Sequence, residues 1–197
     1  MPYPSQINAE RLPIQALKFV EKHGWDNWSV REFSASLGVS ANALYRYIGD
    51  RESFATSIGA VACQQLHTAL LAVHASGADR LVGMARAYVL FAVERPHAFS
   101  VFIHAKPDMS DPRIATWSAL WRCLRDAVAS VLPNATEAAA FALWSQMHGR
   151  AELARGPTRM AAPDAGLRSA VLALIQGYRA LGTVPSPLPK RISKNMR

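Results

Sequence analysis

Two cysteines in 197 residues, Cys63 and Cys123, with no C-x-x-C pair, leave nothing from which to build a disulfide framework or a zinc ribbon. Buried, reduced thiols are the reading they receive. No apolar run approaches the ~20 residues that a membrane-spanning helix needs, and the N-terminus lacks a basic stretch followed by an apolar block. A cytoplasmic location is therefore expected. Catalytic signatures are missing as well: there is no nucleophile elbow, no phosphate loop, no H-x-x-x-H or H-E-x-x-H, and no pair of carboxylates on one helical face. Neither enzymatic activity nor a cofactor is expected. Strand-like alternation is absent too, so the fold class is all-α, with about nine helices.

Acidic residues are scarce, 14 against 22 Lys and Arg, which gives a formal charge of +8 and points to a polyanionic partner. The charge is not concentrated where a reader of nucleic acid needs it. Residues 1 to 60 carry six basic side chains (Arg11, Lys18, Lys22, Arg31, Arg46, Arg51) and six acidic ones (Glu10, Glu21, Asp26, Glu32, Asp50, Glu52), netting zero. Residues 61 to 181 contribute +4 and the tail from Gly182 the other +4. Pattern, not net charge, has to locate the site.

That pattern lies between Ser29 and Glu52, SVREFSASLGVSANALYRYIGDRE, which reads as two short helices about a tight turn. Ser29 and Glu32 make the S-x-x-E box that opens a helix, with Val30, Phe33 and Leu37 on one face. Gly38 supplies a left-handed turn, Val39 plugs the space between the helices, and Ser40 caps the second. The second helix turns Ala43, Leu44 and Ile48 inward and leaves Ala41, Asn42, Tyr45 and Arg46 outward. Gly49 ends it and Asp50 caps a longer helix. This is the layout of a helix-turn-helix DNA reader.

Upstream, residues 1 to 7 are expected to form a loose arm. A helix with Leu12, Ala16, Phe19 and Val20 inward starts or kinks near Pro13 and stops at Gly24. Downstream, helices are expected over about Arg51–His74 and Arg80–Glu94, the latter apolar all round at YVLFAV, with a short one near Ala98–Ile103. After the polar turn KPDMSDP, Asp111 and Pro112 are expected to cap and open a helix carrying Ile114, Trp117, Trp121, Leu124 and Val128. Two more run over Thr136–Arg155, with Phe141, Trp144, His148 and Ala151 on one face, and Asp164–Leu181. The proline-rich, basic tail, 182–197, is expected to be disordered.

From Ala16 to Phe54 the chain resembles the tetracycline-repressor (TetR/AcrR) family of bacterial transcriptional regulators. AL-x-FVEKHG, then SVREFSASLGVSANALYRYIGDRESF, is similar to that family's first helix ending in Gly, its helix-turn-helix and its Y-x-H-F-x-x-K-E-x-L closing signature. Ser34 stands for the usual Ala, Tyr47 for His, Ile48 for Phe, Arg51 for Lys and Phe54 for Leu; bulk and polarity class are kept at most of these. Further on, LWSQMHGRAEL looks like the W-x-x-x-H-G signature of one C-terminal ligand-binding domain type, with Trp144, His148 and Gly149 as its letters. The resemblance implies a DNA-binding domain over residues 1–50 and an effector-binding, dimerisation domain over 51–181. It also implies a homodimer on a palindromic operator, released by a small ligand.

Within the reader, Asn42 and Arg46 are the long polar side chains suited to base edges, adenine and guanine respectively. Ser29, Ser40, Tyr45, Tyr47 and Arg51 suit phosphate contacts. In the C-terminal helices, Met84, Tyr88, Phe102, His104, Trp117, Trp121, Trp144 and His148 are the candidates for lining a mostly apolar effector pocket, with Tyr88, His104 or His148 as polar handles. A hydrophobic or aromatic effector follows. Cys63 and His67 lie four apart on one helical face, but without a third ligand they are better read as packing than as a metal site. Two other classes stay open: an architectural helix-turn-helix protein with no effector, and a small all-helical enzyme.

Overall fold

The structure, a computed structural model, describes residues 7–105, 111–156, 164 and 166–182. Most of the expected N-terminal arm, most of the KPDMSDP turn and the basic tail from Thr183 onward lie outside the described residues. Among the described residues there is no strand, and nine α-helices form: α1 Leu12–His23, α2 Val30–Ser36, α3 Ala41–Ile48, α4 Arg51–Leu71, α5 Gly77–Glu94, α6 Pro96–His104, α7 Ile114–Ala129, α8 Thr136–Arg155 and α9 Leu167–Leu181.

Local chemistry sets most of the ends. The Asn8 Oδ1 accepts from the backbone N–H groups of Glu10 and Arg11, seeding a 3-10 turn that runs into α1. Pro13 sits in the first turn of α1, where a missing N–H leaves no helical bond unmade. Ser29 Oγ accepts from Glu32 N–H at 3.2 Å and donates to Glu32 Oε2 at 2.9 Å, so this capping box closes through the hydroxyl. Ser40 Oγ accepts from Ala43 N–H and Asp50 Oδ1 from Ser53 N–H, capping α3 and α4. Gly38, at φ +71°, makes the turn between α2 and α3 in a conformation that a Cβ disfavours.

Several boundaries differ from expectation. α4 stops at Leu71, not His74, and α5 begins at Gly77, not Arg80. α7 has Arg113 at its N-cap position; Asp111 and Pro112 lie in the turn before it, because Asp111 Oδ1 accepts both Arg113 N–H and Arg113 Nε–H. α9 begins at Leu167, behind Gly166 at φ +67°, and not at Asp164. Phe141 and Leu181 point out of the fold rather than into it. In α1, Leu17 is fully buried while Phe19 is half-buried.

α4 is the spine. It packs against α1, α3, α5, α6 and α7, while α8 lies on α5 and α9 covers both. One hydrophobic core runs from Leu12 and Val20 through Ile58 and Leu66 to Tyr88, Leu143 and Val171. The reader therefore rests directly on the helices that carry the aromatic residues.

Candidate DNA interface and effector core

α3 is two-faced. Leu44 and Ile48 are buried, whereas Asn42 and Arg46 are exposed, and Tyr45 and Tyr47 are 41% and 50% exposed. An exposed tyrosine pair beside an exposed arginine and asparagine is an unusual way to spend a helix face unless something polar docks there. The Ser29 and Ser40 hydroxyls are engaged as caps; each thereby holds a helix start, with its free N–H groups, at the surface. Arg51, first in α4, lies with its guanidinium carbon 5.8 Å from the ring centroid of Trp28, a buried indole that the sequence reading does not single out. Trp25 packs against Trp28 with ring centroids 5.7 Å apart. The two tryptophans, Arg51 and Glu52 border an open cleft of about 410 Å³.

Two arginines fasten elements to α4, and one of them also reaches the reader. Arg95, between α5 and α6, donates from Nε to Glu21 Oε1 on α1 at 2.7 Å and from Nη1 to Gln65 Oε1 on α4 at 2.6 Å. Arg113 donates from Nη1 to the Ser53 carbonyl and to Ser57 Oγ, fastening the start of α7 to the first turns of α4.

Farther along, the structure brings five of the eight expected effector residues into one aromatic cluster. Tyr88 is fully buried, and its hydroxyl is hydrogen-bonded to His148 Nδ1 at 3.0 Å. Trp144 stands edge-on to Tyr88, Phe102 and Trp121, with centroids 5.2, 6.2 and 6.2 Å apart. Phe99, not in the expected set, joins through Tyr88 at 5.5 Å and His148 at 6.0 Å. Met84 is buried in the same core. Trp117 packs instead beside Gly59 of α4, and His104 is exposed, its Nδ1 hydrogen-bonded to the Ser100 carbonyl of its own helix. His104 is thus not a polar handle of this cluster. Arg155 closes one side, its guanidinium 5.2 Å from the Phe99 centroid and its Nη1 donating to Ser100 Oγ.

Residues 81–179 match the family model described as the tetracyclin repressor-like C-terminal domain. The chain belongs to the tetracycline-repressor family. The matched segment spans α5 to α9 almost entirely and includes Trp144, His148 and Gly149. Over 154 residues the chain is 27% identical to an uncharacterized HTH-type transcriptional regulator of Mycobacterium tuberculosis, covering 74% of this chain and 69% of that protein. In fold it is similar to a protein of unknown function from Rhodococcus sp. RHA1, with a TM-score of 0.72 at 22% identity over 90% of this chain and 98% of that one. It is also similar to a TetR variant from Acinetobacter baumannii in complex with minocycline, with a TM-score of 0.65 at 17% identity over 89% and 98%. This tetracycline-repressor family member is a DNA-binding transcriptional regulator.

In this regulator, burial pushes the Cys63 thiol up to about 12, from a usual value of 9.0. Burial, then Glu152 and Cys63, raise the Tyr88 phenol against the opposing effect of Arg155. Both groups are neutral in the fold, and both favour the folded state fully only below their unfolded values. Stability should therefore fall as pH rises from about 9 toward 12 for the thiol. Cys63→Ala is expected to flatten the slope of chemical-denaturation stability against pH above 9; an unchanged slope would show that the thiol is not its source. His67 and Cys63 share α4, and no group of three potential metal ligands occurs among the described residues. No described helix is long and apolar enough to cross a membrane.

Proposed function

We propose that this regulator is a cytoplasmic repressor that binds a palindromic operator as a homodimer and leaves it when a small apolar or aromatic effector binds. α1 to α3, within residues 1–50, form the reader; α4 to α9, within 51–181, hold the effector and the dimer face. The observation that carries the reading is the exposed Asn42, Tyr45, Arg46 and Tyr47 on a helix whose other face is buried. Arg46 reads guanine and Asn42 adenine at base edges, while the helix starts at Ser29 and Ser40, the two tyrosines and Arg51 grip phosphate.

The effector seats against the Tyr88, Phe102, Trp121, Trp144 and His148 cluster. Edge-on rings offer it aromatic faces, and the Tyr88–His148 pair is the polar handle. Met84 belongs to the floor; Trp117 and His104 drop out of the set.

Arg46→Ala is expected to weaken operator binding roughly tenfold and to relax preference at one base position, as loss of a bidentate guanine contact does. Arg51→Ala should weaken binding to all sequences alike and lower the salt slope by about one. A fluorescence titration against DNA flanking the gene, at fixed salt, checks both. Unchanged affinity of the Arg46→Ala protein would remove α3 from the groove. Repeating the titration with candidate aromatic ligands tests release, and quenching of tryptophan emission in the same cuvette reports occupancy of the cluster.

A further inference from the structure

A second place in the molecule has the chemistry of a ligand site, and it lies apart from the aromatic cluster. At the end of α4 away from the reader, α4, α5 and α7 border an open cleft of about 300 Å³. His67 and Leu71 come from α4, Arg80 from α5, and Ala119, Arg122 and Asp126 from α7. On α7 these residues occupy the face opposite Trp121, the residue that meets Trp144.

The charges in the cleft do not balance. Six arginines elsewhere, at 86, 95, 113, 125, 155 and 168, each sit within ion-pair distance of a carboxylate. Arg80 and Arg122 have no such partner among the described residues, nor do Arg11, Arg31, Arg46, Arg51, Arg150 and Arg179, but these two share one cleft with a single carboxylate, Asp126. Burial raises the pKa of the Cys123 thiol beside them, so it adds no negative charge at neutral pH. His67 Nδ1 and Arg80 Nε are both shielded from solvent with no hydrogen-bond partner. Trp28 Nε1, Arg125 Nε, Gln146 Oε1 and Arg150 Nε are in the same state elsewhere, but His67 and Arg80 come from different helices that border one cleft, where a single acceptor can serve both.

We propose that this cleft binds a small organic anion, a carboxylate on a compact apolar body. The carboxylate accepts from Arg80 and Arg122, and from the His67 imidazole as a third donor, while Leu71 and Ala119 face the apolar body. A metal ion is disfavoured by two guanidinium groups, and no group of three potential metal ligands occurs among the described residues. Inorganic phosphate is disfavoured because Asp126 repels a dianion and the apolar wall gives it nothing. Because the cleft takes in the last turns of α4, the first turn of α5 and the middle of α7, an occupant clamps the spine at the end opposite the reader.

Benzoate is the probe, titrated into the full-length protein with calorimetry and with the histidine ring signals in NMR as readouts. Saturable binding that shifts the His67 ring is expected, with benzamide, the neutral analogue, failing to saturate. Arg122→Gln, on an exposed side chain, and Arg80→Gln are each expected to weaken benzoate roughly tenfold, the loss typical of a hydrogen bond to a charged group. Their melting curves show whether the fold is kept. The inference is overturned if benzoate does not saturate, if both variants bind it as the parent does, or if phosphate shifts the His67 ring as strongly. None of these outcomes touches operator binding, which the Arg46 and Arg51 titrations decide separately.

Discussion

A Phe141→Glu protein is expected to run as a monomer in light scattering and to lose about 10²–10⁴ of its operator affinity, the gain that linking two half-sites supplies. Phe141 is 66% exposed, at one end of an exposed stripe along α8. Ser145 and Gly149 follow it at four-residue intervals along α8, then Leu153 at 47% exposure. On α9, Ala173, Gly177 and Ala180 are exposed, and Leu181 is 67% exposed. A Cβ added at Gly149 or Gly177 would meet nothing within 4 Å, so both helix backbones are bare to an approaching partner. The stripe from Phe141 to Leu153 runs about 18 Å along α8 and contains no charge. Two-fold pairing of α8 and α9 from two chains would bury both phenylalanines; a glutamate there would bring two carboxylates together out of water. Because Phe141 lies outside the monomer core, circular dichroism and melting of the monomer should stay close to the parent's. Phe141→Leu, which keeps the apolar contact, should remain dimeric. A Phe141→Glu protein that stays dimeric with unchanged affinity would move the interface elsewhere.

What the sequence makes legible is what is local. Ser29, Ser40 and Asp50 cap helices that begin one residue later, and Gly38 and Gly49 follow the ends of the first two, because each device acts across three or four residues. The W-x-x-x-H-G spacing places Trp144 and His148 one turn apart, and both reach the same cluster. Asp111 shows where local reading fails: Asp-Pro looks like a cap and first turn, but the carboxylate is taken by the Arg113 backbone and guanidinium, so the helix starts later. Periodicity also does not choose between neighbours such as Leu17 and Phe19, since either direction gives α1 an apolar face. His104 and Trp117 sit on helices of the right composition but on faces that only tertiary packing assigns. The Tyr88–His148 bond spans 60 residues, Arg95–Glu21 spans 74, and Trp28 beneath Arg51 joins a loop to a helix. No spacing rule reaches that far.

Gly59 is another residue that the sequence passes over, and its replacement should have the largest effect on stability. It lies in the middle of α4, where a glycine is ordinarily worse than alanine by about 1 kcal/mol, so a bare propensity argument predicts that Gly59→Ala stabilises. The packing predicts the opposite. An added Cβ would overlap the Cβ of Ala105, at the end of α6, and would touch the Trp117 ring at 3.5 Å. Ala105 is buried and its Cβ has no rotamer into which to retreat, so α6 or α4 must shift as a body. Overpacking of this kind typically costs about 1–3 kcal/mol, enough to outweigh the propensity gain in Gly59→Ala. Gly59→Val adds two methyl groups and gives up alanine's helix preference, so a loss of at least ~3 kcal/mol is expected, near 10 °C in melting temperature for a chain of this size. The diagnostic measurement is the cycle with Ala105→Gly: the double variant Gly59→Ala, Ala105→Gly should recover most of the loss, because one close approach has been moved from one helix to the other. Simple additivity of the two single effects would show that α4 and α6 do not meet at this pair. If they do, Gly59 fixes the spacing between the helix that runs back to the reader and the helix that carries Phe99 and Phe102. Melting and effector response should then change together along the series.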